Sequence, residues 1–114
     1  MVKLIARLHK QTLEGKIAWQ KTLDDGIFQA GFPNYTIKLF ARTSPLDSSA
    51  LDYVIRILDA EGETIEEVAD TDFDTAELRR NEAYDLMKET YTAARRIAMG
   101  VDKALDNILS ELAD

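Results

Sequence analysis

Tyr84, Met87, Tyr91, Ala94, Ala98, Val101, Leu105, Ile108 and Leu112 follow one another at intervals of 3, 4, 3, 4, 3, 4, 3 and 4 residues. Apolar residues so spaced form one stripe of an α-helix, the a and d positions of a heptad. From Thr75 to the last residue, 40 in all, there is no proline and a single glycine, Gly100. A glycine inside a helix costs about 1 kcal/mol relative to alanine, which packing offsets. A Schellman stop at Gly100 would set Val101 against Arg96, a poor apolar match, although Asp102 could cap a new helix there. The apolar phase passes through Gly100 without a slip, so the spacing predicts one continuous helix over 75–113.

Such a helix would be about 58 Å long at 1.5 Å per residue. A compact domain of this chain length is only about 35 Å across. The far end would overhang the body and carry Val101, Leu105, Ile108 and Leu112 into solvent, where an apolar line of that size does not stay wet. Either a second copy covers it about a two-fold axis, or Gly100 bends the last turns back onto the body. The first alternative is preferred. It makes the chain a single α+β domain over 1–114 with 100–114 as a protruding dimerisation segment, and Ala94, Ala98, Val101, Leu105, Ile108 and Leu112 as the homodimer interface.

The rest of the chain has different periods. Residues 2–14 read as a helix, with Leu4, Ile5, Leu8 and Thr12 on one stripe, Lys3, Arg7 and Lys10 on other faces, and Gly15 as its stop. Ile17 and Trp19 alternate in a short extended piece. Phe28, Ala30 and Phe32 repeat every second residue up to Pro33-Asn34, a tight connection because Pro presets φ and Asn tolerates the next turn position. Tyr35, Ile37, Leu39 and Ala41 give the clearest strand, with Phe40 exposed on its other side. The Ser-rich segment 43–51 reads as an exposed loop. Tyr53, Ile55 and Ile57 alternate up to the hairpin connection Asp59-Ala60-Glu61-Gly62. Ile65 and Val68 lie three apart in the returning strand, and share a face only if a bulge intervenes. The expected fold is an N-terminal helix, an antiparallel meander of four or five strands, and a long C-terminal helix packed on one sheet face.

Charge narrows the class of partner. The net charge is −7, and nine carboxylates with no Lys or Arg fall between Asp59 and Glu77. Nucleic-acid affinity rests on phosphate neutralisation by basic residues, so no nucleic-acid partner is expected. The acidic run reads first as a solvated strand edge and loop; its functional alternative is a surface for a basic protein, formed by Glu61, Glu63, Glu66, Glu67, Asp70 and Asp72. Asp70-Thr71-Asp72-Phe73-Asp74 does not fit a calcium loop, which wants Gly at its sixth position and Glu at its twelfth; here Thr75 and Asn81 stand there. The same segment reads better as a helix start, with Asp74 as N-cap, Glu77 completing a capping box, and Phe73 and Leu78 as a hydrophobic staple.

No residue set points to catalysis. The chain has one histidine, His9, and no cysteine. A lone histidine on a helix is a rim residue unless other groups converge on it. Ser44, Ser48 and Ser49 lack the G-x-S-x-G turn of a nucleophile elbow, and no phosphate-binding glycine loop is present. The expectation is no catalytic residue, no cofactor and no metal. Absence of cysteine fits a reducing compartment, no apolar run reaches the ~20 residues of a membrane span, and no signal peptide is recognised. The sequence therefore reads as cytoplasmic, without a membrane partner.

Gly15-Lys16-Ile17-Ala18-Trp19, Phe32-Pro33-Asn34-Tyr35, Tyr53-Val54-Ile55, Ala94-Arg95-Arg96 and Gly100-Val101-Asp102-Lys103-Ala104-Leu105 resemble a recurring family of small bacterial proteins of unknown function, over nearly the whole chain. The resemblance implies a stand-alone bacterial cytoplasmic domain and carries over no functional residue. The leading functional expectation is a non-enzymatic protein-interaction module that homodimerises through its C-terminal helix, in one version as an acidic antitoxin-like or immunity-like partner of a basic protein. The alternative is a small-ligand-binding domain or minor enzyme with a pocket between helix and sheet near Trp19 and Tyr53.

Overall fold

Period-two patterning in the middle of the chain produces a five-stranded antiparallel sheet, seen in a computed structural model that describes residues 1–45 and 47–113. Its strands are β1 (Gln20–Lys21), β2 (Phe28–Phe32), β3 (Tyr35–Thr43), β4 (Leu51–Leu58) and β5 (Thr64–Ala69), in the spatial order β1-β2-β3-β4-β5. Each strand pairs with its chain neighbour, so the sheet is a simple meander. Among the described residues three α-helices, α1 (Val2–Leu13), α2 (Arg80–Ala98) and α3 (Val101–Glu111), and a short 3-10 turn over Asp70–Asp72 complete the fold.

The turns set the registers. Phe32 pairs with Tyr35 across Pro33-Asn34, and Asn34 takes a φ of 70°. At the β4–β5 hairpin the Asp59 carboxylate accepts the N–H groups of Glu61 and Glu63 at 3.0 and 2.9 Å. The register then shifts beside Leu58, which leaves Ile65 as the extra residue and exposed while Val68 is buried. A bulge is present, but it falls on Ile65 itself, so Ile65 and Val68 do not share the buried face.

One face of the sheet carries the core. Phe28, Ala30, Ile37, Leu39, Tyr53 and Ile55 point toward the helices, where α1 supplies Ile5 and Leu8 and α2 supplies Ala83, Met87 and Ala94. Helix α1 ends in a Schellman arrangement: Gly15, at φ 73°, donates to Thr12 O, and Lys16 donates to Gln11 O. Thr12 is buried in the stripe because its hydroxyl accepts the Trp19 indole N–H at 3.0 Å. Tyr53 packs against Tyr84 and Tyr91 with ring centroids 5.5 Å away in each case, contacts worth about 0.5–1.5 kcal/mol each beyond area burial. The Tyr91 hydroxyl donates to Gly26 O and holds the β1–β2 loop onto α2.

Phe40 is a correction. It lies on the opposite face yet is only 8% exposed, in a small cluster with Val54, Ala69 and Ile27. The Arg56 guanidinium sits 4.8 Å above its ring. Arg56 in turn donates to Glu67 at 2.8 Å, and Arg42 reaches the other oxygen of the same carboxylate at 3.3 Å.

The C-terminal region departs from the sequence reading at both ends. Helix α2 begins at Arg80, not at Thr75. Thr75 forms a tight turn with Leu78, whose N–H donates to the Thr75 hydroxyl at 3.1 Å, and the Arg79 N–H donates to Glu82 at 3.2 Å. Phe73 and Leu78 are both buried as the staple expects, but Asp74 and Glu77 do not cap the helix. At the other end, the continuous rod is overturned. Gly100 adopts φ 64°, donates to Ile97 O to finish α2, and accepts from the Ala104 N–H to begin α3. That left-handed conformation is open to glycine without a Cβ penalty and terminates a helix.

The break does not fold α3 back. No residue of α3 is buried. The radius of gyration is 15.6 Å and the longest axis 53 Å, against about 13 Å expected for a compact chain of this size.

Candidate functional site

The amphipathic pattern of α3 follows from its sequence: Val101, Leu105, Ile108 and Leu112 recur at 4, 3 and 4, with Ala104 and Leu109 widening the stripe. Val101 is half-buried at the junction. Beyond it, Leu105, Ile108, Leu109 and Leu112 are 46, 53, 64 and 72% exposed. Of the six expected interface residues, Val101, Leu105, Ile108 and Leu112 share this stripe. Ala94 is fully buried within its own chain and Ala98 packs at the edge of that core, so neither faces outward with them. Leu109, not singled out from the heptad, belongs to the exposed set. One ion pair ties the junction, Arg96 Nη2 to Asp102 Oδ1 at 3.2 Å.

The acidic run is dispersed by the fold. Glu67 is held between Arg42 and Arg56, and hydrogen bonding to the Arg56 side chain keeps its carboxyl below the ordinary value. Asp72 accepts the Ala69 N–H at 2.8 Å. Asp70 is buried and accepts the Tyr53 N–H at 2.7 Å; burial pushes its carboxyl up, in part offset by that hydrogen bond. Glu61, Glu63 and Glu66 remain exposed on the β4–β5 hairpin without an ion-pair partner among the described residues.

Asp70 and the buried Asp52 stand at one wall of an open cleft of about 770 Å³ where β4, the turn after β5 and the start of α2 meet. Arg79, Arg80 and Tyr84 line the other wall. Among the described residues no group of three or more His, Asp or Glu could hold a metal ion. His9 lies on the α1–α2 seam, with Nε2 3.6 Å from Glu89 Oε1 and no hydrogen bond to it. The pocket expected near Trp19 and Tyr53 is filled: both side chains are buried, one bonded to Thr12 and the other clasped by Tyr84 and Tyr91.

A different groove lies along the outer edge of α1. Its volume is about 480 Å³; Leu4, Leu8, Ile37 and Ile57 form the floor, Phe32 and Tyr35 of the β2–β3 hairpin one wall, and Lys3, Arg7 and Gln11 the other. Phe32 and Tyr35 are 43 and 50% exposed. The signal for this groove was available in the sequence: α1 carries Lys3, Arg7 and Lys10 and no acidic residue, in a chain of net charge −7. Among the described residues, none of these three cations has an ion-pair partner.

No protein-family model, no curated protein and no solved structure matches the chain. Among the described residues no helix is long and apolar enough to cross a membrane.

Proposed function

We propose that this chain is a non-enzymatic protein-interaction module that homodimerises through α3. The observation that supports it is the stripe Leu105-Ile108-Leu109-Leu112, exposed along a helix none of whose residues is buried. Burying such a side chain contributes about 1.5–3 kcal/mol, so four in line on each of two chains supply a driving force that a lone surface leucine does not. The absence of cysteine suits a reducing cytoplasmic setting for such a module. In its more specific version the module is the acidic partner of a basic protein, and that protein would meet Glu61, Glu63 and Glu66.

Light scattering tests the reading. The wild-type chain is expected at twice its 12.9 kDa mass at micromolar concentration, and the variant Leu105→Asp/Leu109→Asp at the single-chain mass with unchanged circular dichroism. A wild-type mass equal to one chain across the concentration range would end it.

A further inference from the structure

The geometry points to the partner surface for α3: the groove between α1 and the β2–β3 hairpin of a second copy. This inference rests on the homodimer reading and specifies where the helix docks.

Three observations meet in it. The first is chemical fit. α3 presents an exposed apolar stripe, and the α1 groove presents an apolar floor of Leu4, Leu8, Ile37 and Ile57 walled on one side by Phe32 and Tyr35. An amphipathic helix laid into a hydrophobic groove is a recurrent recognition mode, read as anchors at i, i+3, i+4 and i+7; Leu105, Ile108, Leu109 and Leu112 have that spacing.

The second is charge. Asp102 and Asp106 lie one turn apart on one flank of the α3 stripe. Lys3 and Arg7 lie one turn apart on the wall of the groove. The two pairs have the same i, i+4 spacing, so a helix seated in the groove with that flank toward α1 can bring both carboxylates to both cations at once. Asp102 already contacts Arg96, but that pair is exposed and gives little resistance to a new partner.

The third is area. Specific dimers bury about 1,200–2,000 Å² in total. An α3–α3 contact offers one stripe per chain along helices of about 16 Å. Reciprocal docking about a two-fold axis buries both stripes and both grooves, with the same patch used twice as an isologous interface requires.

The chain has no cysteine, so cross-linking reads the geometry directly. Protein carrying Tyr35→Cys is mixed with protein carrying Leu109→Cys and treated with a short bismaleimide, so that any 35–109 link is between copies. The expected product is a 35–109 cross-linked dimer, identified by peptide mass. Lys3→Glu/Arg7→Glu is expected to weaken self-association by about tenfold or more, and adding Asp102→Lys/Asp106→Lys to it should restore the affinity. Links at 109–109 alone, with association unmoved by Lys3→Glu/Arg7→Glu, would overturn the groove while leaving self-association through α3 standing. A monomer at every concentration would remove both.

Discussion

Helices α2 and α3 continue one heptad, yet they live in opposite environments. In α2 the stripe is the core: Met87 and Ala94 are buried and Tyr84 and Tyr91 pack on Tyr53. In α3 the same phase continues into Leu105, Ile108 and Leu112, all exposed. Between them stands Gly100 in its left-handed conformation. The pair teaches that a heptad names the face of a helix that avoids water, and leaves open whether the axis is straight and what does the covering.

The largest expected effect separates the two helices by stability. Met87→Ala deletes most of a side chain that is 1% exposed and should cost about 2–5 kcal/mol in urea unfolding. Leu105→Ala, at a dilution that dissociates the dimer, should change monomer stability by less than about 0.5 kcal/mol while weakening association. Equal losses at the two positions would mean that α3 packs on its own subunit after all.

A smaller effect sharpens the same contrast between paired and buried groups on β5 and the turn that follows it. Glu67, whose carboxyl is held below its ordinary value of 4.5 chiefly by hydrogen bonding to Arg56, adds stability that is present above that pH and lost as pH falls through its lowered value. Asp70, raised from 3.8 chiefly by burial, works in the other sense: folded protein binds the proton more readily, so stability declines as pH rises from 3.8 toward its raised value. Unfolding across pH 3–7 should show Glu67→Gln flattening the acid side of the profile. Asp70→Asn, whose amide oxygen still accepts the Tyr53 N–H, should remove the opposing decline. Same-direction changes from both variants would refute the assignment.

The meander is legible in the sequence because period two survives in Tyr35–Ala41 and Tyr53–Ile57, and because Pro33-Asn34 and Asp59–Gly62 have side chains that the turns need. Helix α1 is legible from its helical stripe, Ile5, Leu8 and Thr12, down to Gly15. The start of α2 is not. Asp74 and Glu77 imitate a capping box, but the Thr75–Leu78 turn satisfies the local backbone first and moves the helix to Arg80. The break at Gly100 hides behind an unbroken apolar phase, since a left-handed residue changes the axis without shifting the count. The acidic run looks uniform in one dimension; the turn after β5 buries Asp70 against the Tyr53 N–H, while strand pairing hands Glu67 to two arginines and leaves Glu61, Glu63 and Glu66 outside. The α1 groove combines Lys3 and Arg7 with Phe32 and Tyr35, residues about thirty positions apart, and only the packing of α1 against the hairpin joins them.

Hydrogen exchange of the α3 amides at two protein concentrations bears most directly on whether a second copy covers this helix. Protection over residues 105–111 that rises on going from nanomolar to high micromolar protein, while α2 stays protected throughout, is the result this account predicts. Exchange in α3 that is equally fast at both concentrations would contradict it.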